Sequence, residues 1–281
     1  MTGLHVANGR TASGWWEMVS RPPVESLRGL VRRYTGYRED ATAAVRRREV
    51  PTGSVSLILS FGPRIRVVAP SLIELGSFVA PIGTTWAITE YTGTQYGLEI
   101  RMSPLGATAL LGVPMDSLAG TEVELSDVLG READLLIERL AETAGWAARF
   151  DLLDVVLPAR TARGRTPSPV AAYAWRRLRE TNGRVPIGTL VDELGCSHRY
   201  LLNQFRAHVG VGPKQLAVIL RCQQAMRLLE RRDGQHVADI AMRCGYCDEA
   251  HLDRDFRQLV GVTPGQWHTE FRLDAPELAE H

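Results

Sequence analysis

The sequence predicts an α+β chain in two parts. A β-rich N-terminal domain, barrel or sandwich, carries trailing helices and is followed by an all-α domain. Three observations predict this. Short apolar runs separated by Gly and Pro fill residues 55–102. After Pro104 the apolar period becomes that of a helix. Nine residues from Phe205, FRAHVGVGP, return from Phe256 as FRQLVGVTP, with six identical at an offset of 51.

The first of these divides the N-terminal half into strands. Residues 1–50 are mixed, with turn signals at Pro22-Pro23 and Pro51-Thr52-Gly53. VSLILSF (Val55–Phe61) and RIRVVA (Arg64–Ala69) flank Gly62-Pro63 and read as a hairpin. TWAITEYT (Thr85–Thr92) and YGLEIRM (Tyr96–Met102) flank a second glycine turn. Trp86, Tyr91 and Tyr96 on these strands read first as core aromatics and second as pocket lining. Leu125–Gly145 reads as a helix, with Leu129, Leu136 and Leu140 as its apolar stripe. That stripe packs on its own sheet or forms a dimer seam. Residues 158–168 have linker composition, PARTARGRTPS, which places an effector or dimerisation domain at 1–157.

The second half is organised by its repeat. Ile187–Gln215 and Val237–Gln266 each read as a short amphipathic helix, a Gly-containing turn and a second amphipathic helix. Each copy stops at Gly-Val-x-Pro. One such helical hairpin is a weak signal; two in register are a strong one. The helix-turn-helix units are thus placed at 187–208 and 237–258, within a domain of 169–272 followed by a tail of 273–281. Leu201, Phe205 and Val209 form a buried stripe in the first copy, and Leu252, Phe256 and Val260 in the second. Away from those stripes lie Arg199, Asn203 and Arg206, matched at +51 by Ala250, Arg254 and Arg257. Arg and Asn are the side chains that pair bidentately with guanine and adenine, and Arg also neutralises phosphate. Ser197, His198, Glu249 and His251, around the start of each second helix, complete the expected DNA-contacting set. Pro213–Arg232 between the copies reads as one long helix of about 27 Å. Successive major grooves on one face of DNA lie about 34 Å apart. One chain can therefore set two recognition helices into neighbouring grooves.

At this point residues 169–272 resemble the DNA-binding domain of AraC/XylS-type transcription regulators. The resemblance rests on LGCSHRYLLNQFRAHVGVGPKQ, LRCQQAMRLLE and IAMRCGYCDEAHLDRDFRQLVGVTPGQW. It implies a bihelical domain with a linker helix. It also implies an N-terminal sensing or dimerisation domain, often a cupin-like β-barrel followed by helices. Two positions depart from the family pattern. Cys247 stands where a small polar residue is usual, and Ala250 is short where a base reader is often found.

Charge and composition agree with that expectation. The net charge of +1 over 281 residues divides into +5 for residues 165–272 and −4 for the remainder. A basic C-terminal third suits a polyanion. All four cysteines fall at or after Cys196, so the N-terminal half holds no thiol nucleophile. No nucleophile elbow or Gly-rich phosphate loop occurs. Cys244-x-x-Cys247 with His251 and Cys196 has zinc-type donors but straddles two units, so neither metal nor cofactor is expected. A Cys244–Cys247 redox pair is the second reading of those thiols. There is no apolar run of membrane-spanning length, and Met1–Gly14 lacks the signature of a secretory leader, so a cytoplasmic protein is expected. The expected function is a sequence-specific DNA-binding regulator that is not an enzyme. Its expected partners are duplex DNA, RNA polymerase, a small-molecule effector and a second copy of the chain. The alternative is an enzyme that borrowed this domain for DNA targeting.

Overall fold

The computed structural model describes residues 3–11, 14–231 and 234–270. The expected end of the helical domain at 272 and the tail 273–281 lie outside them.

Among the described residues, the N-terminal half is an antiparallel sheet of nine strands. β1 (His5–Thr11) pairs with β2 (Gly14–Arg21), and β2 with the long β3 (Val31–Glu49). Strand periodicity is weak in this region, because exposed polar residues dominate it. β4 (Val55–Ser60), β5 (Ile65–Ala69), β6 (Ile73–Leu75), β7 (Phe78–Ala80) and β8 (Ala87–Met102) follow. Neither expected hairpin forms. β4 pairs with β7 and with the second half of β8, whereas β5 pairs with β6 and the first half of β8. The segments 85–92 and 96–102 are one strand rather than two. Gly93 sits inside it at φ 77°, a conformation that only glycine adopts without strain. It lies opposite Ala41, where the register with β3 shifts. The two long strands β3 and β8 thus run the length of the domain, and the shorter strands divide between the ends of β8.

Leu27, Tyr34, Leu57, Leu59, Leu98 and Ile100 fill the core of this half. Helices then close one face. α1 (Pro104–Leu111) is capped by the Ser103 hydroxyl, which accepts from the Gly106 N–H. The two-residue β9 (Val123–Glu124) pairs with β7 and runs into α2 (Leu125–Leu129) and α3 (Arg131–Glu142). The helix expected over 125–145 is therefore broken, at Gly130 with φ 58°. Leu140 is fully buried, and Leu129 and Leu136 pack against the same core. α4 (Trp146–Arg163) runs through Pro158, so the first six residues of the expected linker are helical.

The C-terminal half is all helical: α5 (Pro169–Glu180), α6 (Ile187–Leu194), α7 (His198–Val209), α8 (Pro213–Glu230), α9 (Val237–Arg243), α10 (Glu249–Val260) and α11 (Pro264–Glu270). Its apolar residues are continuous with those of the N-terminal half in one cluster. The Thr108 hydroxyl on α1 donates to the His208 carbonyl at 3.0 Å, in a fully buried contact between the halves.

Candidate DNA-binding face

α7 and α10 are both twelve residues long and stand 51 positions apart. Each is started by a side-chain cap. The Ser197 hydroxyl accepts from the Tyr200 N–H at 3.2 Å, and the Asp248 carboxylate from the His251 N–H at 2.7 Å. Each ends at a left-handed glycine, Gly210 or Gly261. The apolar stripes are buried as the periodicity requires: Leu201, Phe205 and Val209 in α7, and Leu252, Phe256 and Val260 in α10. Burial of the stripe fixes which residues face outward. Arg199, Asn203 and Arg206 are exposed on α7, and Ala250, Arg254 and Arg257 on α10.

The two faces differ in their electrostatics. Arg199, Asn203 and Arg206 have no side-chain hydrogen bond or ion pair among the described residues, and His198 beside them is also exposed. On α10, Arg257 is held by Asp253 at 2.8 Å. The His251 ring stands edge-on to Tyr246, 5.1 Å between centroids, with Asp255 3.9 Å from its Nε2. Burial raises the Asp255 carboxyl above its ordinary range, against the pull of His251 and Arg221. Glu249 in the first turn is exposed, where a carboxylate suits the positive helix end. Ser197 serves as a cap, with its hydroxyl committed to the backbone. The turn before α10 is also longer, running from Cys244 to Asp248 where the first unit has only Gly195 to Ser197.

Tyr200, 48 % exposed in the first turn of α7, is a further outward side chain. Sequence reasoning passed over it, although the 51-residue offset pairs it with His251. The thiols do not share a surface: Cys222 and Cys244 are buried, Cys196 is half-buried and Cys247 is exposed. Burial pushes the Cys244 thiol up to about 11. Among the described residues, no group of three or more His, Cys, Asp or Glu side chains is placed to hold a metal ion.

Residues 190–270 match the helix-turn-helix domain family. Over 84 residues the chain is 33 % identical to the transcriptional activator RhaR of Klebsiella pneumoniae. The C-terminal region is thus similar to the DNA-binding domains of AraC/XylS-type regulators. The chain spans about 30 % of the length of that relative, and the match covers 30 % of this chain. Two solved structures are also similar. The DNA-binding domain of AdpA, in complex with a target DNA, is 29 % identical and aligns over 39 % of this chain and 98 % of its own, with a TM-score of 0.35. ToxT from Vibrio cholerae is 10 % identical and aligns over 84 % of this chain and 96 % of its own, with a TM-score of 0.45.

The helix-turn-helix region is tied to the N-terminal half at the far ends of both α7 and α10. Helix C-termini leave carbonyls without partners. On α10 these are taken by the β domain: Arg48 Nη1 donates to the Val260 carbonyl at 2.9 Å, and the Thr85 hydroxyl to Gln258 at 3.2 Å. The Arg48 guanidinium lies 4.8 Å over the Trp86 ring. Both press on Gly261, where a Cβ would come within 2.3 Å of Arg48 and 2.6 Å of Trp86.

Arg48 and Thr85 also line a cavity of about 560 Å³ in the β domain, which Trp267 of α11 reaches. Its wall carries Glu39, 2 % exposed, bound by Arg47 at 2.8 Å and by the Tyr91 hydroxyl. The Tyr37 hydroxyl, Gln95 Oε1 and Arg47 Nε on this wall are buried without hydrogen-bond partners among the described residues. Glu49 faces the cavity and accepts from Thr89 at 3.2 Å; desolvation raises its carboxyl above the ordinary 4.5. Of the three aromatics singled out from sequence, Tyr91 lines this cavity. Trp86 supports Arg48, and Tyr96 packs on Phe61 and Trp146.

Proposed function

We propose that this chain is a sequence-specific DNA-binding transcription regulator whose two recognition helices read successive major grooves. The observation that carries the reading is the pair α7 and α10. They have equal length and equal register, and each has a buried stripe and an outward face of Arg and Asn or Arg. The 18 residues of α8 separate them by a helix of about 27 Å. Arg199, Asn203 and Arg206, with Ser197 and His198, form the contact set of the first unit; Glu249, His251, Arg254 and Arg257 form that of the second. The effector or dimerisation domain is 1–157, and the DNA-binding domain begins near Pro169.

The cavity supports a small-molecule effector of polar character, because burying three unpartnered polar groups costs free energy that a hydrogen-bonding ligand would recover. Arg48 and Thr85 belong at once to that cavity and to the end of α10. An occupant that moves them changes how the second unit is held. RNA polymerase and a second copy of the chain are the further partners proposed, and the cytoplasm the compartment. The borrowed-domain enzyme is less well supported: the curated relative is a transcriptional activator, and thiols are confined to the C-terminal third.

The test is duplex binding by the purified chain across a salt series. The reading expects affinity to fall linearly on a log–log plot, as phosphate contacts release counterions. No binding to any duplex at low salt would contradict it.

A further inference from the structure

Away from the recognition helices, a second pocket of about 290 Å³ lies where the two units meet. It is lined by Asn182 and Arg184 of the α5–α6 loop, Gln224 and Leu228 of α8, and Arg243 and Cys244 at the end of α9. Arg221 and Arg227 flank it from α8. Arg227 Nη2 donates to Gln224 at 2.8 Å and Asn182 at 3.4 Å. Arg221 stacks 4.9 Å over Tyr246 and donates to the Gly245 carbonyl at 3.4 Å. Two guanidiniums thus line the concavity and two more flank it, all four near enough to pull the Cys244 thiol down against its burial.

Asp255 stands 3.9 Å from Arg221. Arg184 and Arg243 are exposed and form no ion pair among the described residues. Holding Arg184 and Arg243 together without a carboxylate between them is unfavourable, and a phosphate with several acceptor oxygens relieves it well through forked guanidinium hydrogen bonds.

The position of the pocket identifies the source of the phosphate. Gly245 opens the turn into α10, and a Cβ there would sit 3.1 Å from Arg184 Cγ and 3.8 Å from Arg221 Cδ. The loop that enters the first unit therefore abuts the turn of the second. Two helices in successive major grooves leave one minor groove between them, with a phosphate chain on each side.

We propose that this pocket is a phosphate site, filled by a backbone phosphate of the DNA segment between the two grooves. The inference rests on the two-groove reading proposed above. Its chemistry would equally accept a free phosphorylated small molecule, so the experiment has two arms.

In the first arm, the full chain and the variants Arg184→Ala, Arg243→Ala and Arg184→Lys are titrated with duplex DNA across a salt series. Each alanine variant is expected to weaken binding to selected and random sequences by the same factor and to lower the salt slope by about one unit; Arg184→Lys retains the slope. In the second arm, inorganic phosphate is added without DNA and melting is followed for wild type and the double alanine variant. Unchanged slopes with a phosphate-induced rise confined to wild type overturn the DNA assignment in favour of a free phosphate ligand. Unchanged slopes with no such rise overturn the site altogether. Wild type binding no duplex contradicts the DNA-binding reading itself, and the second arm still decides whether the pocket takes phosphate.

Discussion

The two helix-turn-helix units share a repeat, a helix length and a buried stripe, yet they are held differently. The first recognition helix is anchored by Thr108 on the His208 carbonyl, inside an apolar core shared by both halves. The second is anchored by Arg48 and Thr85, polar groups on the wall of the large cavity. Their outward faces differ in the same sense. Arg199, Asn203 and Arg206 project without partners among the described residues, while Arg257 and His251 already contact Asp253, Asp255 and Tyr246. On the proposed reading, the difference amounts to a division of labour: a fixed first unit that reads bases, and an adjustable second unit that leans more on the backbone.

The largest expected effect tests what the units share. Phe205→Ala and Phe256→Ala should each destabilise the chain by about 3–5 kcal/mol, since both rings are fully buried. Chemical denaturation measures this, and a tolerated loss at either ring would break the structural equivalence.

Base reading should be unequal. Arg199→Ala is expected to cost about 1–3 kcal/mol on a selected site and much less on random DNA. Arg257→Ala should weaken both by similar factors and flatten the salt slope by about one unit. Paired salt titrations on the two DNAs decide. Equal loss on both DNAs for Arg199→Ala would remove it as a base reader.

The anchors should separate as well. Thr108→Val removes a buried hydrogen bond and should cost about 1 kcal/mol of stability. Arg48→Met should instead speed amide exchange locally, at Val260–Val262 and not at Val209–Val211. Equal acceleration at both sites would merge the two anchors into one device.

The smallest effect concerns Glu49. Its raised carboxyl pKa means that the folded chain favours the protonated form. That contribution is present below 4.5 and lost as pH rises through the raised value. Because Glu49 is solvent-exposed at the cavity mouth, screening leaves only a small effect: Glu49→Gln should raise the melting temperature slightly at neutral pH and leave it unchanged below 4.5. A gain that does not depend on pH would assign the effect to packing.

The helical half was legible in the sequence because its signals are local. The stripe Leu201, Phe205, Val209 and the stop at Gly-Val-x-Pro lie within a few turns of one another, and the repeat supplied an internal control. The strands of residues 55–102 were legible but their pairing was not, because strand pairing is decided by distant partners. Gly62-Pro63 resembles a hairpin turn until β8 is seen to claim both flanking strands. Gly93 resembles a turn until β3, some fifty residues earlier, is seen to run past it. The same limit hid the anchors, since Arg48 meets Val260 across 212 residues. It hid the arginine pocket too, whose members at 184, 221, 227 and 243 share no motif.

The most direct measurement is a hydroxyl-radical footprint of a single bound chain on a duplex selected from random sequence. The account predicts two protected segments on one face of the DNA, centred about one helical turn apart. Arg254→Ala should fade the segment assigned to the second unit and spare the other. A footprint confined to one major groove would contradict the account.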